Sequence, residues 1–198
     1  MLYGIPGGTI EVRGASDRAL QLRGRFPYGS TATLSDGGRR GRPRKERFAA
    51  HAFKHSVETE REVRLLVGHD WGKPLASRGT GTLSLEDTAE ALTFDATIPP
   101  EVADTSFVRD AIALLTAGLA VGISPGFRIP PERAVQQAET VEEEDPAEGQ
   151  ALIRTVHAAV LSELSLVTNP AYEESSVESR SWDMAAPKAR PPMMVYLP

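Results

Sequence analysis

The sequence LLVGHD, at residues 65–70, is an apolar run that ends on a histidine beside a carboxylate. We predict a strand over residues 62–68 that delivers His69 at its end, where chemically active side chains are commonly held. The chain contains no cysteine, so covalent catalysis would need an oxygen nucleophile and a base that removes its proton. His69 is the candidate base.

The composition is that of an ordinary globular domain. A length of 198 residues, with 40% apolar and 25% charged residues, fits one domain with its own core. Without cysteine there are no disulfides or thiolate metal sites, which fits a reducing compartment. Residues 1–6 lack the features of a signal peptide, and no apolar run approaches the roughly 18 residues of a membrane span. We therefore expect a cytosolic protein without membrane contact.

Charge is distributed unevenly along the chain. Residues 1–60 hold 11 Lys and Arg against 6 Asp and Glu, a net charge of +5, whereas the remainder holds 11 against 21, a net charge of −10. The basic run RRGRPRK at 39–45 lies in a segment, 28–47, that we predict to be a flexible solvated loop. Clustered arginine can bind phosphate, but no aromatic residues interleave the charge for base stacking. We therefore expect no nucleic-acid partner.

A short helix is predicted within residues 48–57, where Phe53 and Val57 lie four residues apart on one face. His51 and His55 have the same spacing, which could ligate zinc. No glutamate stands between them as the base of a metalloprotease would. We interpret them as surface histidines and expect no metal or organic cofactor.

Alternation of apolar and polar residues predicts several strands elsewhere in the chain. The predicted strands are 19–26, a hairpin of 75–85 with 91–98, and one or two core strands within 152–166. A helix is predicted from Asp104 or Thr105, because apolar residues then recur at three- and four-residue steps. The acidic, proline-containing segment 130–150 is predicted to be a surface loop.

Two further residues are candidates for chemistry. Ser124 lies between glycines in GISPGFRI, residues 122–129. Glu163 lies on the apolar strand VLSELSLV, residues 160–167, where a period of two puts it beside Ser165 and its carboxylate needs a partner. A serine becomes nucleophilic when a histidine removes its proton and a third group, often a carboxylate, orients the histidine. Composition and spacing leave the alternative open that Ser124 is simply a turn residue.

Four motifs occur in series along the chain. They are ERF with AF within 46–53, LVGHD at 66–70, GISPGF at 122–127 and LSELSLVTNPA at 161–171. In combination and order they resemble the prohead proteases of tailed bacteriophages. The resemblance runs from about Phe26 to Tyr172, and four motifs in series are far more specific than any one.

The resemblance implies a serine endopeptidase, related in fold to the herpesvirus capsid maturation proteases, that works inside the immature capsid in the host bacterial cytoplasm. Its partner would be the major capsid protein, whose scaffolding region it would cut, and often it would cut itself. The viral relatives are activated by dimerising, so a homodimer is compatible with the resemblance. The sequence identifies no interface for it.

Carried over residue by residue, His69 matches the family's general base and Ser124 its nucleophile. Glu163, in a Glu-x-Ser-x-Val-Thr-x-Pro-Ala type of motif, is our choice for the third member, because its buried setting asks for a cationic or hydrogen-bonding partner. The herpesvirus relatives use a second histidine there, so His157 is the rival. Pro125 departs from the family pattern and has no N–H to offer an oxyanion. That departure mildly favours the alternative function, a noncatalytic capsid assembly or scaffolding protein that keeps the protease fold.

The two residues that follow the histidine are interpreted differently. Asp70 is adjacent to His69, and adjacent strand residues point to opposite faces, so we expect a structural role for it. Trp71 is expected either to line the substrate groove or to cover the core.

We predict an α+β domain, because strands clearly outnumber helices. The resemblance implies a largely antiparallel, closed β-barrel surrounded by helices, as in the herpesvirus proteases. The expected organisation is an N-terminal strand or arm at 1–25, a protease domain at 26–183 whose last part could be a short helix, and a proline-rich disordered tail at 184–198.

Overall fold

A computed structural model of the chain describes residues 2–5, 8–14, 19–39, 41–117, 119 and 122–168, and for 2–14 the backbone alone. The predicted helix after residue 172 and the predicted tail at 184–198 lie outside the described residues. The helices are α1 (Lys54–Glu58), α2 (Pro100–Ala103) and α3 (Ser106–Thr116). The strands are β1 (Leu2–Ile5), β2 (Gly8–Gly14), β3 (Leu20–Pro27), β4 (Thr31–Ser35), β5 (Arg44–Phe48), β6 (Arg64–Val67), β7 (Asp70–Ser77), β8 (Leu83–Asp87), β9 (Ala91–Ile98), β10 (Gly122–Arg128), β11 (Glu139–Glu143), β12 (Leu152–Val156) and β13 (Val160–Val167).

The first sheet is antiparallel and has the order β1-β2-β3-β9-β8. Its strand β3 confirms the strand predicted at 19–26, and the alternation of exposed and buried residues along it is the reason the sequence pattern revealed it. Strands β8 and β9 form a hairpin, with Asp87 opposite Leu92 next to the turn. The strand predicted at 91–98 is confirmed by β9. The strand predicted at 75–85 is wrong in its bounds, because residues 75–77 end β7 in the second sheet and only residues 83–85 lie in β8. The predicted N-terminal strand or arm supplies β1, β2 and most of β3 to this sheet.

The second and third sheets each contain one parallel pair. The second has the order β10-β13-β6-β7, with β13 parallel to β6, and it carries all the candidate site residues except His157. The third has the order β11-β12-β5-β4, with β12 parallel to β5. The region 152–166 therefore holds two core strands that belong to different sheets.

One hydrophobic cluster joins the three sheets. It contains Leu22 and Phe94 from the first sheet, Leu164 from the second and Phe48 from the third. Phe48 is central, because its ring lies 5.2 Å from that of Phe26 and 5.0 Å from that of Phe127, both in edge-to-face geometry. Each fully buried Leu or Phe side chain contributes about 2 kcal/mol through apolar burial. This shared core fixes the position of the second sheet, and with it the site.

The helices agree with the sequence pattern in part. Helix α3 begins directly after Thr105 as predicted, although the Thr105 hydroxyl donates to the Val102 carbonyl and does not cap the helix. Helix α1 is shorter than the segment 48–57 in which a helix was predicted, because Phe48 ends strand β5. Among the described residues, no helix is long and apolar enough to cross a membrane.

The prediction of a flexible basic loop at 28–47 is wrong, because that segment contains β4 and most of β5. Strand β5 pairs with β12, from the other end of the chain. The polar and charged side chains on β5 are therefore compatible with a strand, since Phe48 and Glu46 face inward and the others face solvent or acidic partners.

The prediction of an acidic surface loop at 130–150 is wrong for residues 139–143, which form β11 against β12. Acidic residues of 130–150 form ion pairs with basic residues of 28–47. Arg42 lies 2.8 Å from Glu143, Arg47 binds Glu142, and Lys45 binds the buried Glu144. The opposite charges of the two segments thus neutralise each other within the third sheet.

The fold is α+β, with mostly antiparallel and mixed sheets and few helices. Among the described strands, each of the three sheets has two end strands and none is closed into a ring by hydrogen bonds. The closed barrel therefore stays a prediction.

Candidate active site

His69 lies in the tight turn between β6 and β7. Val67 pairs with Asp70 across this turn, so Gly68 and His69 are its two central residues. Both have positive φ, 63° for Gly68 and 60° for His69, as in the turns that join right-twisted strands. Glycine adopts this conformation freely, but a histidine does so at a cost of roughly 1–2 kcal/mol. Contacts elsewhere must hold His69 in this conformation.

Two residues of β13 supply these contacts. The backbone N–H of His69 donates to Ser165 Oγ at 2.9 Å. The ring nitrogen Nδ1 of His69 lies 2.7 Å from Glu163 Oε1. The Ser165 hydroxyl in turn donates to Glu163 Oε2 at 2.7 Å. The three residues therefore form a closed set of hydrogen bonds between the hairpin turn and the neighbouring strand.

Two of the three residues in this set are buried, which strengthens their hydrogen bonds. Ser165 is fully buried and the Glu163 side chain is only 5% exposed, whereas the His69 side chain is 33% exposed. A buried carboxylate requires hydrogen-bond partners, and Glu163 has one for each oxygen. Because Nδ1 donates to the carboxylate, the neutral imidazole has its lone pair on Nε2. The Nε2 atom is thus the one free to accept a proton.

Strand β10 brings Ser124 to the same face of the sheet. Ser124 pairs with Ser165, and Gly126 pairs with Glu163, in the antiparallel register of β10 and β13. Directly opposed residues point to the same face, with Cβ atoms about 5 Å apart. The half-buried Ser124 is therefore a neighbour of the set formed by His69, Glu163 and Ser165.

Gly126 is required by the position of the carboxylate. A Cβ atom at residue 126 would lie 1.9 Å from Glu163 Oε1. The glycine two positions after Ser124 thus leaves the space that the Glu163 side chain occupies.

In the described part of the chain, no hydrogen bond joins the Ser124 hydroxyl to the His69 ring. Catalytic hydrogen bonds are often long or poorly aligned in enzymes without substrate and tighten only in the complex. The structure brings Ser124 to the face that carries His69 and Glu163.

The rival third residue, His157, lies elsewhere. It is exposed, and its Nε2 atom lies 2.9 Å from Thr140 Oγ1 on β11. Its backbone N–H donates to the Ala138 carbonyl, which ties it to the third sheet. His51 lies 3.2 Å from Asp87 and also makes no contact with His69.

The neighbours of His69 on β7 make contacts of their own. Asp70 accepts a hydrogen bond from the Gly72 N–H and pairs with Lys73 at 3.2 Å. These two partners, the N–H first, hold the pKa of Asp70 below its usual range. Trp71 is 55% exposed, with the Arg64 guanidinium 5.8 Å from its ring centroid, so it does not cover the core.

A histidine held by a buried carboxylate, with a serine hydroxyl on the same face, is the set of groups that serine peptidases use to activate a hydroxyl. The α+β fold presents this set on one sheet, at a turn and two adjacent strands.

Comparison with protein families also indicates a serine peptidase. The model of a family described as caudovirus prohead serine protease matches residues 31–189. This match covers most of the 198 residues, so the chain belongs to the caudovirus prohead serine protease family. No curated protein and no solved structure matches the chain. The predicted relation in fold to the herpesvirus proteases therefore stays a prediction.

Sequence reasoning named His69, Ser124 and Glu163, but gave no role to Ser165 or to the positive φ of His69. A signal for the turn was present, because Gly68 precedes His69 at the end of an apolar strand. The bond from the His69 N–H to Ser165 joins residues 96 apart in the chain, and no local pattern reports it.

Proposed function

We propose that this protein is a serine endopeptidase of phage procapsid maturation, with Ser124 as nucleophile, His69 as general base and Glu163 as the residue that orients His69. The observation that carries the proposal is the 2.7 Å contact between His69 Nδ1 and the buried Glu163 carboxylate, on the face that Ser124 shares. The family membership supports a peptidase.

In the proposed reaction, the Ser124 oxygen attacks the carbonyl carbon of the scissile peptide bond while His69 Nε2 takes the hydroxyl proton. The imidazolium that forms is stabilised by Glu163, whose carboxylate already holds the Nδ1 proton. The tetrahedral intermediate collapses, the peptide C–N bond breaks, and His69 gives its proton to the leaving amine. Water, activated by the same imidazole, then hydrolyses the acyl-enzyme and restores the Ser124 hydroxyl.

The reaction also needs a hydrogen-bond donor for the oxyanion of the tetrahedral intermediate. Pro125 has no backbone N–H, so this residue supplies no hydrogen bond to an oxyanion. The donor is therefore a different group, either the backbone N–H of Gly126, that of Ser124, or a donor from elsewhere in the chain.

The substrate that we propose is the scaffolding region of the major capsid protein, and the protease itself is a second substrate. The reaction would take place inside the prohead in the bacterial host. Family membership implies association with capsid proteins and supports this assignment. A closed barrel and a homodimer, both implied by the resemblance to herpesvirus proteases, are parts of the same proposal.

Coexpression of the full chain with the major capsid protein of the same phage tests the function. Mass spectrometry should find discrete capsid fragments with wild type and none with Ser124→Ala. The Ser124→Ala protein should keep the urea midpoint of wild type, since only one half-buried oxygen is removed. Fragments that persist with Ser124→Ala would overturn the assignment of the nucleophile. An uncut capsid protein in both samples would favour the noncatalytic assembly or scaffolding protein.

A further inference from the structure

Ser165 lies where the hairpin turn meets β13, and it is in contact with both partners of the histidine–carboxylate pair. It accepts from the His69 N–H at 2.9 Å and donates to Glu163 Oε2 at 2.7 Å. No part of Ser165 is exposed to solvent, so it cannot itself reach a substrate. The mechanism proposed above does not use it.

The directions of these hydrogen bonds follow from the chemistry of the groups. A backbone N–H can only donate and a carboxylate can only accept. The single Ser165 proton must therefore go to Glu163, and one of its lone pairs must receive the His69 N–H. A hydroxyl satisfies both demands with one atom, whereas the methyl group of alanine satisfies neither.

Each of the two bonds fixes something that the reaction needs. The bond from the His69 N–H holds the turn residue whose φ of 60° is costly for a side chain larger than glycine. The bond to Glu163 Oε2 orients the carboxylate so that Oε1 faces Nδ1. The Ser165 hydroxyl thus fixes both the backbone conformation of His69 and the orientation of the Glu163 carboxylate.

We propose that Ser165 is a positioning residue for His69 and Glu163, one that holds the imidazole in the Nδ1–H tautomer and aims Nε2 at the Ser124 side of the sheet. The importance of this role for catalysis rests on the proposed function. The positioning itself is a property of the folded chain and is measurable without any substrate.

The test uses the full chain with Ser165→Ala, and with Ser165→Thr as the variant that restores the hydroxyl. Ser162→Ala is the matched control, because Ser162 is a half-buried serine on the same strand with no side-chain hydrogen bond among the described residues. Hydrogen exchange of the His69 amide and the nitrogen NMR shifts of its imidazole are the two readouts that need no activity. The chain has four histidines, so the His69 ring signals can be assigned by substitution.

In Ser165→Ala we expect the His69 amide to exchange at least tenfold faster and the imidazole to gain the Nε2–H tautomer. The Leu166 amide, in the same strand, should exchange as in wild type. Ser165→Thr should restore both readouts, and Ser162→Ala should change neither. If Ser165→Ala does not fold, Ser165→Cys, which keeps the side-chain volume with weaker hydrogen bonding, takes its place.

The proposal is overturned if the His69 exchange rate and tautomer stay as in wild type, or if exchange accelerates along the whole of β13 and β6, which would indicate a merely structural role. The effect on catalysis is measured as the rate at which a fluorophosphonate labels Ser124. This rate should fall at least tenfold in Ser165→Ala and stay at the wild-type value in Ser162→Ala. A wild-type chain that is not labelled at Ser124 would refute the proposed function. The exchange and tautomer results would still decide the role of Ser165.

Discussion

At the scale of single residues, the chemistry of the site depends on how Glu163 is held. Its two carboxylate oxygens have different partners, the His69 ring for Oε1 and the Ser165 hydroxyl for Oε2. Burial in the sheet removes the competition of water for both bonds. The carboxylate can therefore select one tautomer of His69.

The first prediction concerns this selection. Glu163→Gln keeps the size of the side chain but removes its charge, and its amide can donate to Nδ1 and favour the wrong tautomer. We expect the cleavage rate to fall by roughly 10⁴-fold, as for the corresponding Asp→Asn change in a serine protease. The rate is measured from capsid fragments over time, against His157→Gln as the control.

His157 is bound to Thr140 on another sheet, so its replacement should leave the rate within about twofold of wild type. Loss of activity in His157→Gln together with normal activity in Glu163→Gln would reverse the assignment of the third residue.

The second prediction concerns Gly126, which leaves room for the carboxylate. In Gly126→Ala the new Cβ atom would lie 1.9 Å from Glu163 Oε1, so the carboxylate must move away from His69 or the strand must shift. We expect a loss of about 1–3 kcal/mol in the free energy of unfolding, typical of overpacking. Labelling of Ser124 by a fluorophosphonate should slow at least tenfold.

Gly81→Ala is the control for this variant. Gly81 has a φ of +70° and no atom within 4 Å of an added Cβ, so the change strains the backbone without touching the site. It should lower stability by roughly 1 kcal/mol and leave the labelling rate unchanged. Equal rates for wild type and Gly126→Ala would show that the space beside Glu163 is not needed.

Local signals in the sequence made His69 and Glu163 candidates, and the family resemblance gave them and Ser124 their proposed roles. His69 follows an apolar strand, and Glu163 is a carboxylate on a strand too apolar to leave it without a partner. The structure brings these two side chains into contact. The role of Ser165 had no such signal. It depends on a hydrogen bond to the turn residue His69, which lies 96 residues away in the chain.

At the scale of elements, the third sheet is held together by charge as well as by apolar packing. Arg154 on β12 is 2% exposed and binds Glu46 on β5 at 3.2 Å. Its guanidinium also binds Glu139 on β11, with Nε at 2.7 Å from Oε2. One buried arginine thus connects three adjacent strands through two carboxylates.

The third prediction follows from the burial of this ion pair. Arg154→Met leaves the buried Glu46 without its guanidinium partner, and breaking such a pair costs about 3–5 kcal/mol. Urea unfolding should therefore show a large fall in midpoint. The exposed pair of Arg23 and Asp95 provides the control, and Arg23→Met should cost less than about 1 kcal/mol.

The double variant Arg154→Met with Glu46→Leu should recover a large part of the stability lost in Arg154→Met, because it no longer buries the Glu46 charge. A double variant less stable than Arg154→Met would contradict the view that the buried charge of Glu46 causes the loss.

The strands β4, β5 and β11 of this sheet were not predicted from the sequence, whereas β12 was. Residues 28–47 and 130–150 are rich in charge, glycine or proline, and local composition favours loops for both. Their strands pair with β12 and with each other, and the ion pairs between the two segments join residues about 100 positions apart, which no local pattern reports. Strands with alternating apolar residues, such as β3 and β13, needed no such information and were predicted.

At the scale of the whole molecule, the same charge pairing predicts sensitivity to acid. The Lys45 ammonium first, and then the Ala151 N–H, hold the pKa of Glu144 below its ordinary value of 4.5. A carboxyl group whose pKa is lowered by folding stabilises the native state above that ordinary value. The stabilisation is lost as the pH falls through the lower native pKa.

The fourth prediction is the pH dependence of Lys45→Met. At pH 7 this variant should unfold at a lower urea concentration than wild type, because Glu144 has lost its first partner. The difference should shrink steadily below pH 4.5 and vanish once Glu144 is protonated in both proteins. A difference that stays constant down to pH 3 would mean that the Glu144 charge plays no part.

The measurement that tests the central claim most directly is the mapping of a fluorophosphonate adduct on the full-length chain. If Ser124 is activated by His69 and Glu163, peptide mass spectrometry should find the adduct on Ser124 in wild type. The adduct should be absent from Ser124→Ala, which should unfold at the wild-type urea concentration. It should also be absent from His69→Ala, which should stay folded but unfold at a lower urea concentration because the buried Glu163 carboxylate loses a partner. An adduct on another residue, or labelling of Ser124 that persists in His69→Ala, would contradict the account.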